Sequence, residues 1–263
     1  AQPDHCISTQ KKTNHWSIEE AIPFFQQPVS ILVENNKNDA YFVRAIIYYF
    51  GTNKVKEHLK NGWIRFENAG GCGNVRNFLK GALTVFEDLG SRYNKHVGAY
   101  FRGLIVLDSD KEWPTQPDQH TKLKRELSQE DKINNVHVLK KRMIENYMPD
   151  EVFGEILNGE HQRVAHKEKT WIQTYLRLTP KQKDYIKMEK NKNTTFADSL
   201  FDSISEADRA ILKEGFSYPK IKNNLPLLFK HSPQVHKQTL KKRCKSTDIN
   251  ELQTIVDKII ALL

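Results

Sequence analysis

Cysteine is scarce in this chain, and the few thiols present are poorly placed for chemistry. Cys6, Cys72 and Cys244 are odd in number, far apart and never within zinc-ligand spacing, which excludes a disulfide scaffold and a cysteine-built zinc site. A reducing cytoplasmic setting is the expectation. No apolar run approaches the ~18 residues that a bilayer span needs, so no membrane partner is expected. The mean hydropathy of -0.66 describes a polar, soluble chain. No internal repeat and no Pro/Gly-rich linker breaks it into obvious pieces. The opening Ala1-Gln2-Pro3-Asp4-His5-Cys6 has neither the basic nor the apolar region of a signal peptide. It also lacks Met, which fits processing, excision from a longer polypeptide or an incomplete start. Acid is missing from one long stretch. Gly215 to Thr247 carries no Asp or Glu, but it holds Lys220, Lys222, Lys230, Lys237, Lys241, Lys242, Arg243 and Lys245. With a net charge of +9, this favours a polyanionic partner, although a merely solvated basic face has the same composition.

What the chain does have is a pair of apolar runs that end on acids. Ile31-Leu32-Val33 leads to Glu34, and Gly103-Leu104-Ile105-Val106-Leu107 leads to Asp108-Ser109-Asp110. Continuous Val/Ile/Leu runs of this length read as strands buried on both faces of a parallel sheet. Trp63 to Phe66 and Val136 to Leu139 read as two more strands. A helix opens at Ser17, whose spacing to Glu20 is that of a capping box. Another runs from Asp39 to Phe50 with Phe42, Ala45, Ile46 and Tyr49 on one face, and a third follows Asn74. The β-α-β-α-β order predicts an α/β fold, a Rossmann-like parallel sheet with helices on both faces.

Beyond Ile144 there is no convincing strand. Helices are expected at 149–157, 164–176, 180–190, 196–204, 206–214, 234–244 and 249–263. The last places Ile249, Leu252, Ile255, Val256, Ile259 and Ile260 on one stripe. The resulting division is a helical lead-in (1–28), a catalytic α/β domain (29–148) and a helical C-terminal region (149–263).

Ligands of open parallel sheets collect beyond the carboxyl ends of the strands. Glu34, Asp108 and Asp110 would share such a rim, and in an extended chain residues i and i+2 point the same way. Carboxylates that close repel unless a cation lies between them, and their hard oxygens suit Mg²⁺ or Mn²⁺. Glu145, in an apolar setting just past Lys140, Lys141 and Arg142, is a further acidic candidate that would complete a two-ion site. Turn-forming and helix-capping acids are the plainer reading of each residue alone. Gly70, Gly71, Gly73 and Asn74 precede a helix and are candidates to present backbone amides to phosphate; a tight turn needs the same glycines. Cys72 among them has no paired His and reads as an ordinary thiol. Lys140, Lys141, Arg142, Lys220, Lys222, Lys241, Lys242 and Arg243 are the candidate nucleic-acid contacts.

These residues together resemble the TOPRIM fold, and more narrowly the TOPRIM nuclease domains of the OLD (overcoming lysogenization defect) family and its stand-alone DUF4435-type relatives. The resemblance rests on Val33-Glu34-Asn35 with Asp39, on Gly70-Gly71-Cys72-Gly73-Asn74-Val75, on Asp108-Ser109-Asp110, and on Ile144-Glu145-Asn146-Tyr147-Met148. It covers roughly residues 29–150. Asn35 stands where the family has glycine, and Asp39 lies one residue farther from Glu34 than the family pattern places it. The downstream glutamate favours the nuclease branch over primases and topoisomerases. The resemblance implies that Glu34, Asp108 and Asp39 hold one divalent ion, and that Asp110 and Glu145 help to hold a second. It also implies a charge-stabilising lysine in the helical part, for which Lys190 and Lys192 are the candidates. It implies a metal-dependent endonuclease acting on DNA or RNA, tRNA included, as the toxic effector of a bacterial anti-phage system. An ATPase sensor or a reverse-transcriptase (retron) complex would be its partner. The chain has no Gly-x-x-x-x-Gly-Lys-[Ser/Thr] loop of its own. Monomer and homodimer are both compatible.

Two other readings remain open from sequence. One is a different Mg²⁺-dependent phosphoryl-transfer enzyme using an Asp-x-Asp nucleophile, although that motif normally ends the first strand and here two strands precede it. The other is a non-catalytic nucleic-acid-binding module.

Overall fold

The computed structural model describes residues 6–9, 15–159, 166–188, 190, 196, 198–216 and 225–263. A short parallel ladder joins β1 (Cys6–Ile7) to β2 (His15–Trp16). The main sheet contains β3 (Val29–Val33), β4 (Ile64–Asn68), β5 (Gly103–Leu107) and β6 (Val136–Val138). Its order is β4-β3-β5-β6 and every pairing is parallel. The chain is therefore α/β with a parallel sheet. No helix of the described residues is long and apolar enough to cross a membrane.

The apolar runs explain the layering. Side chains alternate across a strand, so Ile31, Val33, Leu104 and Val106 enter one hydrophobic cluster, while Leu32, Ile105 and Leu107 enter another on the opposite face. The first face is covered by the helix Asn36–Phe50, through Phe42, Val43, Ile46 and Ile47. The second is covered by the helices Ile18–Gln26 and Val75–Leu83, through Phe24, Val75 and Leu79. The expected capping box is formed: Ser17 Oγ accepts from the Glu20 amide, and Glu20 Oε2 accepts from the Ser17 amide.

Apolar packing is continuous across the expected boundary at 148/149. The first cluster continues without interruption from the strands through Phe153, Trp171, Tyr175, Leu240, Leu252, Ile255 and Ile259. The C-terminal helix Glu251–Ala261 packs on the helix Asn36–Phe50 and on β5. Its stripe is narrower than expected: Ile249 and Ile260 are exposed, at 41% and 38%. Two other helices shrink. Among the described residues, the stretch 180–190 is helical only over Pro180–Lys183, and 196–204 contains only a 3₁₀ turn at Ser199–Phe201. The first loss has a clear cause, because the carbonyls of residues 183–186 are taken by the segment 142–146. Asn146 Nδ2 donates to the Lys183 and Ile186 carbonyls at 2.8 and 2.9 Å. The Arg142 amide donates to the Asp184 carbonyl at 2.9 Å, and the Arg142 guanidinium to that of Tyr185 at 3.3 Å. Tertiary bonds replace the helical ones.

Candidate functional site

The strand order reverses between β3 and β5, which puts a crevice beyond their carboxyl ends. Val33 pairs in register with Val106, so Glu34 and Asp108 leave the sheet side by side. The Asp108 amide donates to Glu34 Oε1 at 3.1 Å. Asp39, in the first turn of the helix that follows β3, accepts from the Asn35 amide through Oδ2 at 2.8 Å. Asp108 Oδ1 in turn accepts from the Ile144 amide at 3.0 Å. The Ile144–Tyr147 3₁₀ turn is thereby anchored on the rim. Its buried Asn146 and Tyr147 point into the helical part, and its Glu145 acts on Asp108.

The electrostatics describe one acidic group. Burial first, then repulsion from Glu145, Asp39, Glu34 and Asp110 in that order, pushes Asp108 well above the ordinary carboxylate range. Burial, and to a lesser degree Glu34, raises Asp39 to about 6 against the opposing bond from the Asn35 amide. Burial also raises Glu34, with Asp110 adding to it and the Asp108 amide opposing. Asp110 is the neighbour closest to Asp108 in sequence, yet it acts on Asp108 the least. Its backbone is left-handed, φ 54°, and β5 ends at Leu107, so the extended alternation expected to align the two aspartates does not reach them.

The glycine turn is closed by hydrogen bonds of its own. Gly70 and Gly71 adopt φ of 71° and 104°, values that a side chain would strain. Their amides are already engaged. Gly70 donates to Asn68 Oδ1 at 3.0 Å, Gly71 to the Glu34 carbonyl at 3.2 Å, and Asn74 to the Gly71 carbonyl at 3.0 Å. Asn74 Nδ2 closes the turn on the Gly70 carbonyl at 3.0 Å. The turn wraps Glu34, and these three amides are spent on protein acceptors. Within it, burial and then Glu34 and Asp110 push the Cys72 thiol up, which disfavours a thiolate nucleophile.

His120 was not among the sequence candidates. It is buried, and its Nε2 donates to the Asp108 carbonyl at 2.7 Å, while its amide donates to Asp118 Oδ1 at 2.8 Å. Its charge would favour ionised Glu34. A lone His in a polar loop has no periodic signal, and only its position a dozen residues after an Asp-x-Asp pointed to it.

Among the expected nucleic-acid contacts, three belong inside the protein. Lys141 is fully buried and bonds Asp184 and Ser246; Arg243 joins the same Asp184 carboxylate at 2.5 Å. Arg142 is 5% exposed and reaches Glu112 at 3.3 Å. Burial, and then Arg243, lowers Lys141 to about 8 against the pull of Asp184. The alternation of β6 continues past its end, with His137, Leu139 and Lys141 inside and Lys140 outside. Lys140, Lys241 and Lys242 keep surface positions, Lys242 paired with Glu151 at 2.6 Å. Lys190 is held by Glu214 at 2.8 Å. Lys192, Lys220 and Lys222 lie outside the described residues.

Among the described residues, no three Asp, Glu, His or Cys side chains close around one point tightly enough to cage a metal ion. Glu34, Asp39 and Asp108 each turn one oxygen onto a backbone amide. The donor set nevertheless fits a hard divalent cation in its chemistry. All of its members are carboxylates, and burial and then mutual repulsion raise three of them, a repulsion that a bound cation would offset. Comparison with known proteins finds no matching family model, no matching curated protein and no matching solved structure.

Proposed function

We propose that the chain is a divalent-metal-dependent nuclease of the TOPRIM type, hydrolysing phosphodiester bonds of DNA or RNA at the rim between β3 and β5. The observation that carries this reading is the meeting of Glu34 and Asp108 across adjacent parallel strands, with Asp39, Asp110 and Glu145 acting on the same point. Glu34, Asp108 and Asp39 are the residues for one Mg²⁺ or Mn²⁺; Asp110 and Glu145 are those for a second. Bound there, the ions would supply Lewis-acid stabilisation of phosphate oxygens and a lowered pKa for water.

The chain's own groups set up the site. The Asp108 and Ile144 amides orient the Glu34 and Asp108 carboxylates, and His120 fixes the Asp108 backbone from behind. Protons held by Glu34, Asp39 and Asp108 must leave before these groups can bind a cation, so binding releases protons and tightens as pH rises. A role as an anti-phage effector, restrained by an ATPase or a reverse-transcriptase partner, belongs to the same reading.

The test is incubation with duplex DNA, single-stranded DNA and total tRNA, in Mn²⁺ and separately in EDTA. Cleavage of at least one substrate in Mn²⁺ alone is expected, falling roughly a hundredfold or more in Glu34→Gln and Asp108→Asn. Cutting that persists in EDTA, or at full rate in either variant, would overturn the reading.

A further inference from the structure

Beside the acidic rim is a second concavity, of about 430 Å³, whose charged lining is four lysines, Lys111, Lys124, Lys140 and Lys181, and one acid, Asp118. Asp118 is already bonded to Lys124. Among the described residues, Lys111, Lys140 and Lys181 have no carboxylate within ion-pairing distance. Ser246 and Thr247 complete the polar lining, their hydroxyls donating to the Arg243 and Cys244 carbonyls at 3.4 Å each, with Tyr185 in the wall. Like charges gathered on a concave, partly desolvated surface raise its potential and focus the field on whatever enters.

The floor strengthens this. Ser246 Oγ lies 3.2 Å from the buried Lys141 ammonium. Lys141 and Arg243 share the single carboxylate of Asp184, so the layer under Ser246 carries an excess cation.

We propose that this cavity is an anion site for phosphate groups of a nucleotide or polyphosphate chain. The choice of phosphate over carboxylate follows from the donors. Planar bidentate capture of a carboxylate uses arginine, whereas compact ammonium groups with nearby hydroxyls suit a tetrahedral, multiply charged oxyanion. The volume is that of a small-molecule pocket, with room for a nucleotide-sized group. The site is coupled to the rim by His120, whose amide holds Asp118 at 2.8 Å and whose ring holds the Asp108 carbonyl at 2.7 Å. A strand bound at the rim and a free polyphosphate would present the same chemistry to it.

Calorimetric titration in EDTA, with inorganic triphosphate and separately with a short single-stranded oligonucleotide, tests the site without any cleavage. Lys140→Glu combined with Lys181→Glu changes two exposed side chains; Lys54→Glu, on the exposed helix Asn53–Lys60, is the control. Affinity for at least one probe is expected to drop about tenfold or more in the double variant and to stay within about twofold in the control. Loss of triphosphate binding assigns a free polyphosphate; loss confined to the oligonucleotide assigns the phosphates of a strand. Failure of both probes to bind, unchanged affinity in the double variant, or an equal loss in Lys54→Glu overturns the proposal. Because no metal is present, a failed nuclease reading leaves this outcome unaffected.

Discussion

Asp39 illustrates how a single acid registers the whole rim. Its folded value of about 6 lies above the 3.8 of an unperturbed aspartate. Between those two values the folded state keeps a proton that the unfolded chain has lost. The stability this gives is fully present below pH 3.8 and is lost as pH rises through about 6. Above that, in metal-free protein, the ionised Asp39 is a net cost. Asp39→Asn retains an oxygen for the Asn35 amide and removes the charge. In EDTA at pH 7.5 it should therefore stabilise the protein by about 1–2 kcal/mol, once solvent screening is allowed for, and the gain should vanish near pH 4. Thermal denaturation of both proteins across that range measures this; identical pH profiles would mean that Asp39 does not share the acidic group. At this scale the sequence was half legible. Acids at the ends of buried strands could be placed because strand direction decides where they emerge. Lys141, Arg142 and Arg243 could not, because composition reports charge and not whether a partner such as Asp184 waits inside.

Asn146 ties two elements together. The Ile144–Tyr147 turn links the acidic rim to the broken helix at Pro180–Lys183 through the Asn146 side chain. Asn146 Oδ1 accepts from the Met143 amide at 3.0 Å while Nδ2 serves the carbonyls of Lys183 and Ile186. Truncation to Asn146→Ala leaves buried backbone groups unpaired and should cost about 2–4 kcal/mol in a denaturant melt. It should also free the turn that presents the Ile144 amide to Asp108, so that Mn²⁺ affinity falls as well. A loss of stability with unchanged Mn²⁺ binding would separate the turn from the site. The four strands of the main sheet were legible to within two residues, because a continuous apolar run is a local signal, whereas the short ladder of Cys6–Ile7 with His15–Trp16 was not expected. The expected helix at 180–190 was not, since its hydrogen bonds go to a segment some forty residues earlier. Local propensity carries no information about that competition.

At the scale of the molecule, one apolar core decides which pieces can exist alone. The α/β part was expected to be a domain of its own at 29–148, but Val29, Ile31, Val33, Leu104 and Val106 share their cluster with the helical region. The C-terminal helix contributes Leu252, Ile255, Val256 and Ile259, all fully buried against the sheet side of that cluster. Its Glu251 is also buried, accepting from the Tyr147 hydroxyl at 2.6 Å and from the Lys140 amide at 2.7 Å. Burial of four such side chains is worth about 6–12 kcal/mol, comparable with the whole stability of a typical domain. Removing residues 251–263 would uncover the sheet face and leave Tyr147 and the end of β6 without their acceptor. The truncated chain is therefore expected to lose its cooperative melt and its near-ultraviolet circular dichroism, and residues 29–148 alone are expected to do the same. A sharp two-state transition in either fragment would show that the α/β layer is self-sufficient, and would return the helical region to the status of an appendage.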